Sequence, residues 1–282
     1  MKNKDNRYYW YGSMIDALRS RKYAPSTRCR YLAICKHITD SFPGKDMRTL
    51  GKVELENYFA ELERLGASAS TINQAISAAT FLWRNVFDKP FPIKVRPISD
   101  KRLPTVLSRN QIMKLIAYTR NPRDRLALVL AYSGGLRVSE VASLKLEDIN
   151  RERHIIYIRS GKGRKDRVVP LSDFVADMLD CYLEKYPTTK WIFKGYGNSH
   201  ISVRTMQYAM RTARRRASLP EECSMHTLRH SFATHLVERG ENLNTVRELM
   251  GHASLSTLQQ YIHLANNGVL STKSPIDYPP LF

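Results

Sequence analysis

Apolar residues in the first part of the chain recur every three or four positions, which is the period of an amphipathic α-helix. The pattern runs from Tyr9 to about Phe87 and is broken by turn sequences such as Phe42-Pro43-Gly44. Four helices fit between these breaks. Hydroxyl side chains at Ser26-Thr27 and from Ser68 to Thr71 are placed to accept bonds from the unpaired N–H groups of a first turn. The pattern therefore predicts an N-terminal bundle of four helices.

A proline-rich segment ends this helical pattern. Residues 90–104 (PFPIKVRPISDKRLP) contain four prolines and scattered charges, so they are expected to be extended rather than helical. The predicted domain organisation is a first domain over residues 1–90, a linker over 91–104 and a second domain over 105–282.

The second part mixes two periods. Helical spacing covers SRNQIMKLIAYTR and PRDRLALVLAYSGG, begins again at GLRVSE, and returns from Ser172 to Tyr186 and from Ser202 to Ala217. Two β-branched runs, Ile155 to Ile158 and Val168-Val169, flank a glycine-rich basic turn and predict a β-hairpin. Two further helices are predicted to end at glycines, HTLRHSFATHLVERG and NLNTVRELMGH. The predicted fold class is mainly α with one small β element.

The charge indicates a polyanionic partner. The chain of 282 residues has a net charge of +19, and both parts are basic. A basic surface that is merely solvated is the alternative, but an excess of this size on both parts favours a nucleic acid gripped from two sides.

The spacing of the cysteines and the lengths of the apolar runs indicate the cellular compartment of the protein. Cys29, Cys35, Cys181 and Cys223 form no CxxC pair and no metal-ligand spacing, so they are expected to be reduced and mostly packed. No stretch approaches the roughly 20 apolar residues of a membrane span, and the N-terminus has no signal-like apolar run. A soluble cytoplasmic protein is expected.

Six polar residues of the second part stand at unusual places: after a Gly-Gly corner, in the hairpin turn, at a helix start and around a hydroxyl-rich turn. They are Arg137, Lys162, His226, Arg229, His252 and Tyr261. Each alone has an ordinary explanation, such as an ion-paired arginine or a half-buried tyrosine. His226 and Arg229 lie one turn apart without an obvious carboxylate partner. Together the six residue types indicate chemistry.

Cleavage of a phosphodiester without a metal needs a nucleophile, neutralisation of the phosphate charge, a proton acceptor and a proton donor. A tyrosine gives a phosphate ester similar in energy to the one broken, so the step reverses easily. Two guanidinium groups offer planar forks for phosphate oxygens. Lysine and histidine supply the acid and the base. The six residues provide each role, with one histidine to spare.

Four segments carry a family resemblance: GLRVSE (135–140), SGKGRKDRVVPL (160–171), HTLRHSFATHL (226–236) and LMGHASLSTLQQYIH (249–263). In their order along the chain and in their amino-acid sequences, these segments resemble the tyrosine recombinase family, also called the phage integrase family, and most closely its short Xer-type members. The likeness covers nearly the whole chain, because the STxxxY sequence from Ser26 to Tyr31 resembles the family's SAM-like core-binding domain.

The resemblance implies roles for individual positions. Arg137 and Arg229 would bind the scissile phosphate, and Tyr261 would attack it. Lys162 would protonate the leaving 5′-oxygen, with Lys165 as its competitor. His226 would accept the proton of Tyr261, while His252 would hold a non-bridging oxygen or position the tyrosine. Glu140 matches a position that supports the active site, and no metal or nucleotide cofactor is implied.

The function implied is site-specific recombination of double-stranded DNA through a 3′-phosphotyrosyl intermediate, for integration, excision or dimer resolution. Self-association to a tetramer on two DNA sites is expected, without a membrane. Two alternatives remain at this point: a type IB topoisomerase and a DNA-binding protein without turnover. Unlike Xer-type members, this chain has Asn266-Asn267-Gly268 and three later prolines, so its tail is expected to be extended and either docked on a neighbouring protomer or loose.

Overall fold

The computed structural model describes residues 6–93, 96–98, 105–159 and 166–251. The chain divides into two compact units, Met1–Arg102 and Leu103–Phe282. Each unit has its own cluster of buried apolar side chains.

Four α-helices build the described part of the first unit, as predicted. They are α1 (Tyr11–Ser20), α2 (Pro25–Ser41), α3 (Lys52–Arg64) and α4 (Ala69–Asn85), with short 3-10 helices at Asn6–Tyr8 and Met47–Thr49. Helix α4 contacts each of the other three α-helices. Its apolar face includes Leu82 and Trp83, both of which are buried.

The starts of α2 and α4 differ in how they are capped. Ser68 caps α4, because its Oγ accepts a bond from the Thr71 N–H at 3.2 Å, as predicted. The prediction that Ser26-Thr27 caps α2 is wrong. Helix α2 begins at Pro25, one residue earlier, and Ala24 before it offers no side-chain bond. Proline suits a first helical position because its fixed φ is helical and it has no N–H to satisfy.

The second unit contains seven α-helices within its described residues. They are α5 (Arg109–Ala117), α6 (Pro122–Ser133), α7 (Val138–Ala142), α8 (Asp173–Lys185), α9 (Val203–Arg216), α10 (Met225–Glu238) and α11 (Leu243–Met250). A 3-10 helix lies at Leu146–Asp148. Helix α6 is buried from Leu126 to Ala131 because it contacts α8, α9 and α10. It forms the centre of this unit's core.

A small antiparallel sheet lies beside these helices, with strands β1 (Ile149–Asn150), β2 (Ile155–Ile158) and β3 (Arg167–Pro170) in that order. Ile156 pairs with Val169, and Ile158 pairs with Arg167. The predicted hairpin is confirmed as β2 and β3. Strand β1 was not predicted, because its two residues are too few to show a period.

The structure tests the expectations about the cysteines and about membrane-spanning segments. Cys35 and Cys223 are buried, but Cys29 and Cys181 are exposed, so the expectation that the cysteines are mostly packed holds for only two of them. Among the described helices, none is both long enough and apolar enough to cross a bilayer.

Candidate active site

A glycine corner between α6 and α7 lets α10 pack closely beside the residues that lead to Arg137. Gly135 has φ +60°, and a Cβ added there would lie 2.4 Å from Cδ1 of Phe232 in α10. Only glycine fits this close approach of α10. Arg137 follows as the residue directly before α7, and its backbone N–H donates to Oε2 of Glu140 at 2.8 Å.

Glu140 accepts bonds from two arginine side chains. Nη1 of Arg137 donates to Oε1 at 2.8 Å, while Nη1 and Nη2 of Arg167 donate to Oε1 at 2.9 Å and to Oε2 at 2.7 Å. Burial alone would raise the pKa of Glu140, but the bonds from Arg167 and Arg137 outweigh it and hold that pKa at about 2. Glu140 is therefore ionised at neutral pH and able to orient both arginines.

Arg229 reaches the same cluster from the second turn of α10. Its side chain is 5% exposed, and Nη1 lies 4.0 Å from Oε2 of Glu140. The expectation that Arg229 lacks a carboxylate neighbour is therefore wrong. Its Nη1 also donates to the Gly135 carbonyl and its Nη2 to the Met250 carbonyl.

The three arginines also meet the C-terminal end of α11. Nη2 of Arg137 lies 3.4 Å from the Met250 carbonyl and 3.3 Å from that of Gly251, and Nε of Arg167 donates to the Leu249 carbonyl at 2.7 Å. These carbonyls carry the partial negative charge of the helix end. Three guanidinium groups around one carboxylate leave the cluster net positive, which suits an anionic ligand.

Two histidines of α10 lie beside this positive cluster. His226 reaches the surface, and its pKa is lowered first by partial burial and then by the charges of Arg229 and Arg137. The pKa of His230 is lowered to about 4 by burial, then by His226 and Arg229. His226 is therefore neutral at pH 7 and able to accept a proton.

The structure thus groups three of the six predicted site residues, Arg137, His226 and Arg229. The other three lie outside the described residues: Lys162, His252 and Tyr261. The described chain meets the cluster at Arg167, five residues after Lys162, and at Gly251, one residue before His252. The predicted tail also lies outside the described residues.

Sequence reasoning missed Arg167. It belongs to the SGKGRKDRVVPL segment, in which Lys162 and its competitor Lys165 were the predicted functional residues. The sequence of a basic hairpin does not show which of its arginines is buried and which is exposed to solvent. Its place as the first residue of β3, opposite Ile158, turns its side chain toward Glu140. In the described part of the chain, no three His, Cys, Asp or Glu side chains are grouped to hold a metal ion.

Two protein-family models match this chain, one in each of its two parts. The family model described as "Phage integrase family" matches residues 105–267, and the one described as "Phage integrase, N-terminal SAM-like domain" matches residues 10–93.

Two curated relatives illustrate the sequence similarity. A putative integrase/recombinase, y4qK, of Sinorhizobium fredii is 30% identical over 95% of this chain and 88% of its own. The tyrosine recombinase XerA of Thermococcus kodakarensis is 36% identical over 72% of this chain and 74% of its own.

Solved structures share the fold. A lambda integrase tetramer bound to a Holliday junction matches with a TM-score of 0.77 at 19% identity, covering 92% of this chain and 78% of that one. The XerH site-specific recombinase bound to a palindromic difH substrate matches with a TM-score of 0.72 at 22% identity, covering 90% and 80%. The predicted fold class, a SAM-like helical domain and a mainly helical catalytic domain with a small sheet, is confirmed.

Proposed function

Because this chain belongs to the phage integrase family, we propose that it is a site-specific DNA recombinase that uses Tyr261 to cut and rejoin one strand at a time. The observation that carries the proposal is the net positive cluster of Arg137, Arg167 and Arg229 around Glu140, with neutral His226 beside it. The cluster has the charge and the donor geometry that a scissile phosphate requires.

Within this cluster Arg137 is the better placed of the two predicted arginines to take a new ligand. Its side chain is 18% exposed, against 5% for Arg229. Its bonds to the α11 carbonyls, at 3.3 and 3.4 Å, lie beyond the usual range for N–H···O bonds. A bound phosphate would replace these weak bonds while Glu140 keeps hold of Nη1.

The chemical step then divides among the predicted residues. Tyr261 attacks phosphorus and releases the 5′-oxygen, forming a 3′-phosphotyrosyl ester; His226 accepts the phenol proton and Lys162 donates one to the leaving oxygen. His252 contacts a non-bridging oxygen or positions Tyr261. The ester retains the energy of the broken bond, so rejoining requires no nucleotide cofactor. Charge neutralisation by two guanidinium groups makes cleavage independent of a divalent metal.

Binding of duplex DNA is consistent with the overall charge of +19 and with the basic surface of α9. Arg211, Arg215 and Arg216 of this helix are exposed. Arg214, in the same run, instead donates to the carbonyls of Glu221 and Cys223, in the loop that leads into α10. Within the run from Arg211 to Arg216, the three exposed arginines are thus available for phosphates, while Arg214 supports the helix that carries His226 and Arg229.

Assembly as a tetramer on two DNA sites is part of the proposal. The lambda integrase structure that shares this fold is a tetramer on a Holliday junction. A cyclic, head-to-tail arrangement lets each protomer control its neighbour and closes after four copies.

The test begins with selection of bound DNA from a random library, because the target sequence is unknown. The selected duplex is then made with a nick close to the cleavage position, so that the cut strand diffuses away and the covalent complex accumulates. We expect a protein–DNA adduct, formed equally with and without a chelator. No adduct would indicate a DNA-binding protein without turnover. Relaxation of supercoiled DNA lacking the selected site would indicate a type IB topoisomerase.

Replacing either predicted phosphate ligand by lysine is expected to slow cleavage by about 10²-fold or more, because a point charge cannot reproduce the guanidinium fork. Arg229→Lys should also lower the free energy of unfolding by about 1–3 kcal/mol, because the buried carbonyls of Gly135 and Met250 lose their donors. Single-turnover cleavage and thermal unfolding measure the two effects. The control is Arg151→Lys, because Arg151 forms an ion pair with Asp180 on the surface. Near-normal cleavage by both variants would contradict phosphate binding by these arginines.

The pH dependence of cleavage is expected to reflect His226. Its neutral form accepts the proton, and its pKa is lowered, so the rate should fall only as the pH drops below the ordinary histidine pKa of about 6.5. Cleavage rates measured at limiting protein concentration reflect the ionisation of groups in the protein before it binds DNA. We expect the acid limb of that profile below pH 6.5 and its loss in His226→Gln. An acid limb that persists in His226→Gln would assign the proton acceptor to another residue.

A further inference from the structure

Arg167 is a buried charged residue to which the mechanism above assigns no step. Its side chain is 6% exposed and its three side-chain bonds are all short: two to Glu140 and one to the Leu249 carbonyl, at 2.7 to 2.9 Å. Gly251 packs against it so closely that an added Cβ would lie 3.0 Å from its Cδ. Arg167 therefore joins β3, α7 and the end of α11.

These contacts distinguish Arg167 from the phosphate ligands. The bonds of Arg137 to the α11 carbonyls are long and its side chain is the more exposed. Arg167, in contrast, uses all three guanidinium nitrogens in short bonds within the protein. It is placed to act on DNA through Glu140 and Arg137 rather than by contact.

We propose that Arg167 is a positioning residue for strand cleavage, which holds Glu140 so that Arg137 remains available to the scissile phosphate. The proposal rests on the proposed function. Glu140 is one carboxylate shared by two guanidinium groups, and bonds between ionised groups are strong. If Arg167 is removed, Arg137 is the one described side chain still hydrogen-bonded to Glu140, with Nη1 of Arg229 at 4.0 Å, and Glu140 draws Arg137 away from the phosphate. The end of α11, which leads to His252 and Tyr261, loses its tie to β3 in the same change.

The experiment compares two scissile groups in the selected nicked DNA: an ordinary phosphate and a methylphosphonate, in which a methyl group replaces one charged non-bridging oxygen. The methylphosphonate is uncharged, so its cleavage depends less on arginine. Single-turnover cleavage is measured for the wild type, Arg167→Gln, Arg167→Lys and Arg137→Gln. The matched control is Arg159→Gln, because Arg159 follows β2 and pairs with Asp148 but not with Glu140.

We expect Arg167→Gln to slow cleavage of the phosphate by about 10- to 10²-fold, as misplacement of a catalytic group does. The ratio of methylphosphonate to phosphate cleavage should rise in Arg167→Gln, as in Arg137→Gln, and stay at the wild-type value in Arg159→Gln. Arg167→Lys keeps the charge but cannot reach all three acceptors, so its ratio should be intermediate. It also serves as the deciding variant if thermal unfolding shows that Arg167→Gln is not folded.

A wild-type ratio in folded Arg167 variants, whether or not their rates fall, would overturn the proposal, because Arg167 would then act independently of Arg137. An equal rise in Arg159→Gln would overturn it as well. Failure of the proposed function is a different result: the wild type itself would form no covalent adduct with the phosphate substrate.

Discussion

Tyr261→Phe is expected to abolish covalent attachment to DNA while leaving the dissociation constant for DNA nearly unchanged. The substitution removes only the oxygen that attacks phosphorus and keeps the ring. The expected loss of adduct is complete, because phenylalanine has no oxygen that can attack phosphorus. Denaturing gels of the nicked selected substrate measure adduct formation, and titration of labelled DNA measures affinity.

The matched control for this variant is Tyr278→Phe, at the other tyrosine that follows α11 in the sequence. We expect Tyr278→Phe to form the adduct at the wild-type rate. Hydrolysis of the wild-type adduct to peptides should recover a nucleotide bound to the peptide that contains Tyr261. Recovery of the nucleotide on another peptide, or an adduct in Tyr261→Phe, would move the nucleophile elsewhere.

The helices could be predicted from the sequence because their positions depend on local information. Apolar spacing marked α1 to α4, Ser68 marked a helix start, and Gly240 and Gly251 marked two helix ends. Glycine at 251 adopts φ +56°, a conformation that other residues rarely adopt. The errors also have local causes. Strand β1 is too short to show alternation, and Ser26 and Thr27 resemble a cap but lie inside the first turn of α2, which begins one residue earlier at Pro25.

The candidate site could be predicted only where a residue type itself implies chemistry. Arg137 was predicted from its place after a Gly-Gly corner, and His226 and Arg229 from their place one turn apart at a helix start; the structure brings the three side chains together. The role of Arg167 depends on contacts between residues up to 82 positions apart. A sequence does not show which of several basic residues in one hairpin will be buried against Glu140. Long-range pairing, rather than composition, decides that choice.

The second large effect on the rate of cleavage is expected from loss of the proposed general acid, Lys162. Lys162→Ala is expected to slow cleavage of ordinary DNA by about 10²–10⁴-fold, because the leaving 5′-oxygen then departs without a proton. Lys165→Ala is the matched control, three residues away in the same basic segment, and should cleave at close to the wild-type rate. Single-turnover cleavage of the nicked selected substrate measures both.

A sulfur substitution separates loss of the acid from other damage to the hairpin. When sulfur replaces the bridging 5′-oxygen, the leaving group is a thiolate, which is stable without a proton because a thiol has a pKa of about 8.5, far below that of an alcohol. Lys162→Ala should therefore cleave this substrate at nearly the wild-type rate, whereas Tyr261→Phe should remain inactive on it. A variant that is slow on both substrates has lost DNA binding or phosphate neutralisation, not a proton donor. If Lys165→Ala were slow on oxygen and restored on sulfur while Lys162→Ala cleaved both normally, Lys165 would be the acid.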